Sequence, residues 1–360
     1  MKLNNVVTKV YAFLNRISQN KLFKNQTNQT NQTNATESTA TESTQESSTA
    51  SKPASKPTPK PAKKPKSKLR RTLEPIALAL AAILCFTYPV ASTLWNNKVS
   101  KEISAAYDRL SRKQTASARE KILNAARRYN ARHKSIITAD PYDGTTDYMK
   151  TPEYKEYAKQ LDEPMGIMGI VKIPKIGVKL PIYHGSSQEV LAYGAGHLYG
   201  TDLPVGGKTR HVVVTAHTGL PNATMFDDLV ELKKGDYFYF DVQGETLRYR
   251  VFRISVVDPH DIRLLQREKG RDLATLLTCT PYGVNTQRLL VTGYRVLPDP
   301  VFAPGDKLQW PLWMTMFVLA LIGCAVILTT MIIAAVRKRR RRAANLASAK
   351  HVGKKYVVSK

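Results

Sequence analysis

The sequence predicts an all-β domain, a barrel or a sandwich, carried on a helical stalk between two membrane-spanning helices. Three observations carry that expectation. Two long stretches, Ile76 to about Trp95 and Trp310 to Val336, contain no charged residue. Roughly 20 apolar residues cross a hydrocarbon core of about 30 Å, so each stretch is long enough to span. Between them, from about Met165, short runs rich in β-branched and aromatic residues alternate with polar, glycine- and proline-marked turns, the pattern of many short strands.

In chain order, residues 1–71 read as a disordered, basic tail. Apolar positions Val6, Val10, Phe13, Leu14 and Ile17 recur near helical spacing, but the repeat NQTNQTNQTNAT and a Lys/Pro-rich stretch at 51–66 offer nothing to bury in a core. Residues 72–96 form the first span. Residues 97–137 are the stalk, with neither Pro nor Gly in 97–134 and with Ile103, Tyr107, Leu110, Ile122, Leu123 and Ala126 at helical spacing, expected to lift the domain off the membrane. Residues 138–164, punctuated by Asp140-Pro141-Tyr142-Asp143-Gly144 and Thr151-Pro152, are a long loop of the kind that is usually functional. The β domain occupies 165–303. Its expected strands are Ile167–Ile173, Val178–His184, His211–His217, a hairpin of Tyr237–Val242 and Thr246–Val257 turning at Gln243-Gly244-Glu245, then Leu273–Cys279 and Arg288–Val296. The second span covers 310–336, and a basic tail follows at 337–360.

The formal net charge of +27 first suggests nucleic acid or an anionic membrane. Its location decides for the membrane. Residues 52–71 and 337–360, each free of acidic residues, supply most of the excess, and each abuts an apolar stretch on its outer side. Lys and Arg favour the cytoplasmic flank of a span, so both termini face the cytoplasm and the region from about Asn96 to Gln309 lies outside. A buried core helix, or for the first stretch a signal peptide, is the competing reading. A signal peptide would carry its charged region near Met1.

Of three cysteines, Cys85 and Cys324 fall within the spans and only Cys279 lies in the exported region, without a disulfide partner. An exported thiol with no use would oxidise or pair by accident, so Cys279 is the first candidate for chemistry; a buried structural Cys is the alternative. A cysteine enzyme also needs a proton donor and donors for the oxyanion. Arg288 opens the strand after the one that Cys279 ends, and so short a connection joins antiparallel neighbours, setting Arg288 beside Cys279. For the acid, His217 ends a strand as Cys279 does. His197, beside the run Gly194-Ala195-Gly196, is the next candidate.

These segments resemble the sortase family of cysteine transpeptidases. TLLTCTPYGVNTQR, residues 275–288, is similar to the sortase signature TLxTC…R, and TAHTGLP, residues 215–221, to its histidine motif. IYHGSSQEVLAYGAGHLYGTDLPVGG, residues 182–207, resembles the pilin-polymerising class C, as does Asp140-Pro141-Tyr142, similar to that class's lid but with Tyr where Trp or Phe is usual. The resemblance covers about 72–342. It implies a closed β-barrel with short helices, Cys279 as nucleophile, His217 as general acid and base, Arg288 as substrate and oxyanion contact, and Asp140, Pro141 and Tyr142 as a lid. It further implies LPxTG-bearing surface or pilin proteins as substrates, with a pilin Lys or the cell-wall precursor as amine acceptor, no cofactor and no metal. The rivals are an exported cysteine peptidase or amidase that transfers to water, and a non-catalytic anchored module.

Overall fold

A computed structural model describes residues 68–137, 140–143, 147–162, 164–305 and 310–357. It divides into a unit Met1–Ile76, described only from Lys68, and a unit Ala77–Lys360. The tail expected over 1–67 lies outside the described residues.

Helix α1 runs unbroken over Lys68–Lys113, so the first apolar stretch and the start of the stalk are one rod. It stops at Gln114, and Thr115 caps α2 (Ala116–Arg132) by accepting the Ala118 N–H at 3.2 Å. The stalk helices pack on the β domain. Tyr107 of α1 is fully buried with Ile167 and Ile170, donates to the Met168 carbonyl at 3.3 Å and accepts the Gln243 N–H at 3.1 Å. Leu123, Ala126 and Tyr129 of α2 join the main core. Apolar residues at helical spacing need a partner surface, and the nearest one is the barrel.

After a 3₁₀ turn at Asp147–Lys150 and helix α3 (Pro152–Ala158) come eight strands: β1 Gly169–Ile173, β2 Val178–His184, β3 Ala195–His197, β4 Arg210–Thr215, β5 Tyr237–Val242, β6 Glu245–Val257, β7 Asp272–Thr280 and β8 Gln287–Arg295. A one-turn helix α4 (Gln188–Leu191) precedes β3. The strands close a barrel in the order β1-β2-β3-β4-β7-β8-β6-β5, which leaves no sheet edge unpaired. The expected strands all form, within one or two residues at their ends. The β5–β6 hairpin turns on Gln243 and Gly244, both with positive φ as a primed two-residue turn requires. Strand β3 was not anticipated. Three residues inside a glycine-rich run carry no readable period, and β3 exists because β2 and β4 both pair with it.

Topology sets the site. Strands β4 and β7 are parallel, with Thr215 opposite Leu277, so the residues after both strands emerge at the same end of the barrel. Strand β8 returns antiparallel to β7 and begins at that end. Helix α5 (Leu312–Val357) starts with the second apolar stretch and continues through the basic run that follows it. Two helices, Ile76–Lys113 within α1 and Leu312–Asn345 within α5, are long and apolar enough to cross a membrane.

Candidate active site

Cys279 and Arg288 are directly opposite each other across the β7–β8 pair. Cys279 is buried near the end of β7, a strand buried over its whole interior. His217 lies two residues beyond the end of β4 and is half-buried. Among the described residues, neither of its ring nitrogens has a hydrogen-bond partner. The rival His197 is fully buried and saturated: Nδ1 faces the Tyr157 hydroxyl at 2.9 Å and Nε2 the Asp202 carbonyl at 2.7 Å. Burial lowers its pKa to about 3, so it is a neutral core residue. His211 is likewise committed, to the Gln266 carbonyl at 2.8 Å and Thr275 Oγ1 at 2.7 Å. His184 contacts the Gln160 carbonyl at 2.6 Å. His260, beyond β6 at the same barrel end, is exposed, which leaves His217 as the half-buried imidazole there without a partner among the described residues.

The segment Asp140–Tyr142 lies across this end. Arg288 donates from Nε to Asp140 Oδ1 at 2.9 Å and from Nη2 to Asp140 Oδ2 at 2.5 Å, a bidentate pair with both side chains largely buried. Its remaining Nη1 donates to the Asn285 and Gln287 carbonyls, each at 3.0 Å. Pro141 is buried, and Tyr142 follows with the Arg288 guanidinium 5.0 Å from its ring centre and the His217 ring 5.5 Å away. The Tyr142 hydroxyl donates to the Ala216 carbonyl and accepts from Thr215 Oγ1, both at 2.7 Å. Thr278 Oγ1 donates to the same Ala216 carbonyl at 2.8 Å. This seat of Thr215, Ala216 and Thr278 was not singled out in the sequence. One of its groups is a main-chain carbonyl, which has no residue-type signature, and the two threonines read only as strand residues.

The electrostatics describe a closed, resting site. Burial pushes the Cys279 thiol up; Arg288 pulls it down, Asp140 pushes it up again, and the Tyr142 hydroxyl pulls it down. Burial lowers the pKa of His217. Burial works most strongly against the Arg288 charge, but the bonds to Asp140 together with the negative charge available on Cys279, Asp140 and Tyr142 offset it and its pKa rises. A thiol, an imidazole and a guanidinium gathered at one barrel end can form a thioester, move a proton and stabilise an oxyanion, once the guanidinium is released from Asp140.

Comparison with known proteins agrees with this geometry. The Sortase domain family model matches residues 171–296. Over 128 residues the chain is 29% identical to sortase A of Streptococcus agalactiae serotype III (strain NEM316), which covers 35% of this chain and 51% of that one, so the chain spans about half the length of that relative. Among solved structures, sortase C of Streptococcus pneumoniae is 38% identical with a TM-score of 0.51, covering 56% of this chain and 99% of that chain. Sortase A of Corynebacterium diphtheriae is 40% identical with a TM-score of 0.50, covering 60% and 95%.

Proposed function

Because this chain belongs to the sortase family, with a sortase C among its structural relatives, we propose that it is a membrane-anchored cysteine transpeptidase that joins pilin-type surface proteins. The Cys279 thiolate attacks the Thr carbonyl carbon of an LPxTG-like sorting signal. The tetrahedral oxyanion is met by the Arg288 guanidinium, and the Thr–Gly bond breaks as His217 gives its proton to the leaving amine. The product is a thioester on Cys279. An acceptor amine, from a pilin Lys or the cell-wall precursor, then attacks the thioester and gives its proton to His217. The new amide forms and the thiolate leaves. In this reading the bidentate pair with Asp140 must open first, since it occupies the donors the oxyanion needs.

The observation that carries the proposal is the cross-strand pairing of Cys279 with Arg288 under a lid that engages Arg288 through Asp140. Both basic flanks would face the cytoplasm and the barrel the exterior. Two spans would hold enzyme and tethered substrate in one plane and raise their effective concentration. The test is an LPxTG peptide assay on the full chain with and without an amine acceptor. Conjugate that is lost in Cys279→Ala and retained in Cys85→Ala and Cys324→Ala supports the proposal. Hydrolysis alone, unchanged by amine, assigns a peptidase. Activity in Cys279→Ala would reject cysteine catalysis.

A further inference from the structure

The loop that begins at His217 is fastened from outside the barrel by the first apolar helix. Its own closure is slight: Phe226 N–H donates to the His217 carbonyl at 3.0 Å. Within it, Met225 sits at φ +42, a left-handed conformation that a residue with a side chain adopts only under constraint. Residues of α1 hold the neighbouring positions. At the end of the first apolar stretch, Asn96 Nδ2 donates to the Asn222 carbonyl at 2.8 Å. Asn97 Nδ2 donates to Thr224 Oγ1 at 2.7 Å, while its Oδ1 accepts the Thr224 N–H at 3.2 Å. Thr224 is fully buried by this contact. A second fastening runs through Asp227, whose Oδ1 accepts from Thr218 Oγ1 at 3.1 Å and from the Gly219 N–H at 2.8 Å, the two residues that follow His217. Asp227 Oδ2 and Trp313 Nε1, the latter in the first turn of α5, are each buried without a hydrogen-bond partner among the described residues.

We infer that the first apolar helix is part of the catalytic scaffold. Asn97 of α1 is a positioning residue that holds the loop after His217. The catalytic end of the barrel therefore sits directly at the membrane surface. The placement follows from the sequence of the helix: Asn96 and Asn97 come immediately after the first apolar stretch. The first span thus leaves the membrane at the loop of His217. A sorting signal still tethered in the bilayer would reach Cys279 without being drawn out to the height of the barrel.

The inference rests on His217 being the proton donor, and its test separates the two. The full chain is placed in lipid nanodiscs as wild type, Asn97→Ala and Asn97→Asp. Deuterium uptake over residues 217–226 reads the fastening without reference to activity, and kcat and KM for an LPxTG peptide read its consequence. Asn97→Ala is expected to speed uptake in the loop and to lower kcat about tenfold, a fraction of what general acid catalysis supplies, with KM unchanged. Asn97→Asp, which can still accept both the Thr224 N–H and its hydroxyl, recovers most of the loss. Unchanged uptake in Asn97→Ala overturns the inference whatever the activity. Faster uptake with unchanged kcat overturns the positioning role. Faster uptake in a chain whose wild type shows no Cys279-dependent transfer instead overturns the proposed function and leaves the fastening standing.

Discussion

Asp140 grips both arms of the Arg288 guanidinium, and through Arg288 it governs Cys279 on the neighbouring strand. One carboxylate therefore does two things to the thiol. It engages the cation that would favour the thiolate, and it adds its own negative charge. Tyr142, its hydroxyl seated on the Ala216 carbonyl, holds the segment down. Releasing this pair should raise thiol reactivity. The Asp140→Ala, Tyr142→Ala double variant is expected to alkylate at Cys279 at least about tenfold faster at neutral pH, as a thiol pKa one unit lower would give. Iodoacetamide labelling followed by mass spectrometry measures it. A rate equal to wild type removes the lid from the mechanism.

The fork of Arg288 predicts that charge alone will not serve. Lys at this position keeps a cation but cannot make two parallel bonds to a carboxylate or lie as a plane over the Tyr142 ring. Arg288→Lys is expected to lower kcat/KM by about 10²-fold or more, the usual loss when an oxyanion donor is removed, with KM moving less than kcat. Peptide-cleavage kinetics on the full chain decide it. A Lys variant within a few-fold of wild type would mean that Arg288 acts only as a point charge.

The pH profile follows from the same site. Burial lowers His217 from its ordinary 6.5 and raises Cys279 from its ordinary 9.0, so near neutrality both groups are mainly uncharged. The ion pair needed for catalysis is a minor form whose fraction is constant between the two values. The expected kcat/KM profile is a broad bell with its acid limb below 6.5 and its alkaline limb above 9.0. Since Asp140 pushes the thiol up, Asp140→Ala should move the alkaline limb down while the acid limb stays. An alkaline limb that does not move in this variant contradicts the coupling.

How much of this was legible in the sequence varies residue by residue. Cys279 and Arg288 were legible because a short link between two apolar runs makes an antiparallel pair, and the register then follows. His217 and His197 could not be separated by sequence position, since both lie at strand ends. What separates them is tertiary: the Tyr157 hydroxyl and the Asp202 carbonyl occupy both nitrogens of His197. Asp140 and Arg288 are 148 positions apart, and no periodicity links them; only the resemblance to a lid motif brought them together. The stalk was read correctly as helical, yet its apolar face was not matched to a partner, which is why its packing on the barrel came from the structure.

The far end of the barrel offers a control for these site variants. Asp202 is fully buried there and takes Arg267 Nε at 2.7 Å on Oδ2, Arg267 Nη2 at 2.6 Å on Oδ1 and the His211 N–H at 2.9 Å on Oδ2. Arg210 Nη1 adds a longer contact at 3.4 Å. Asp202→Ala leaves two partly buried cations without their carboxylate and should cost about 3–5 kcal/mol of stability. Chemical denaturation in detergent measures that loss. The labelling rate of Cys279 in the folded protein should stay at the wild-type value, because β4 separates the two ends.

Stability itself should depend on pH through the loop after His217. Burial pushes Asp227 up to about 6, with the Gly219 and Thr218 donors pulling against it and Asp228 adding to it. Burial, with Glu231 beside it, pushes Asp228 up to about 6 as well. Tyr282, whose own pKa these two carboxylates raise, is the remaining titratable group facing them. The sign follows from proton binding. Between the unfolded value of 3.8 and about 6 the folded chain holds more protons than the unfolded one, so stability falls as pH rises through that window. A two-unit shift sets an upper size on the order of 3 kcal/mol for one carboxyl, and the two are coupled, so the pair contributes less than twice that. Thermal melts of the full chain in detergent from pH 4 to pH 7 should show the midpoint dropping across the window. In Asp227→Asn the drop should shrink, because the amide carries no charge to desolvate. A wild-type midpoint that instead rises from pH 4 to pH 6 with no change of slope in Asp227→Asn would show that these carboxyls do not titrate as their burial requires.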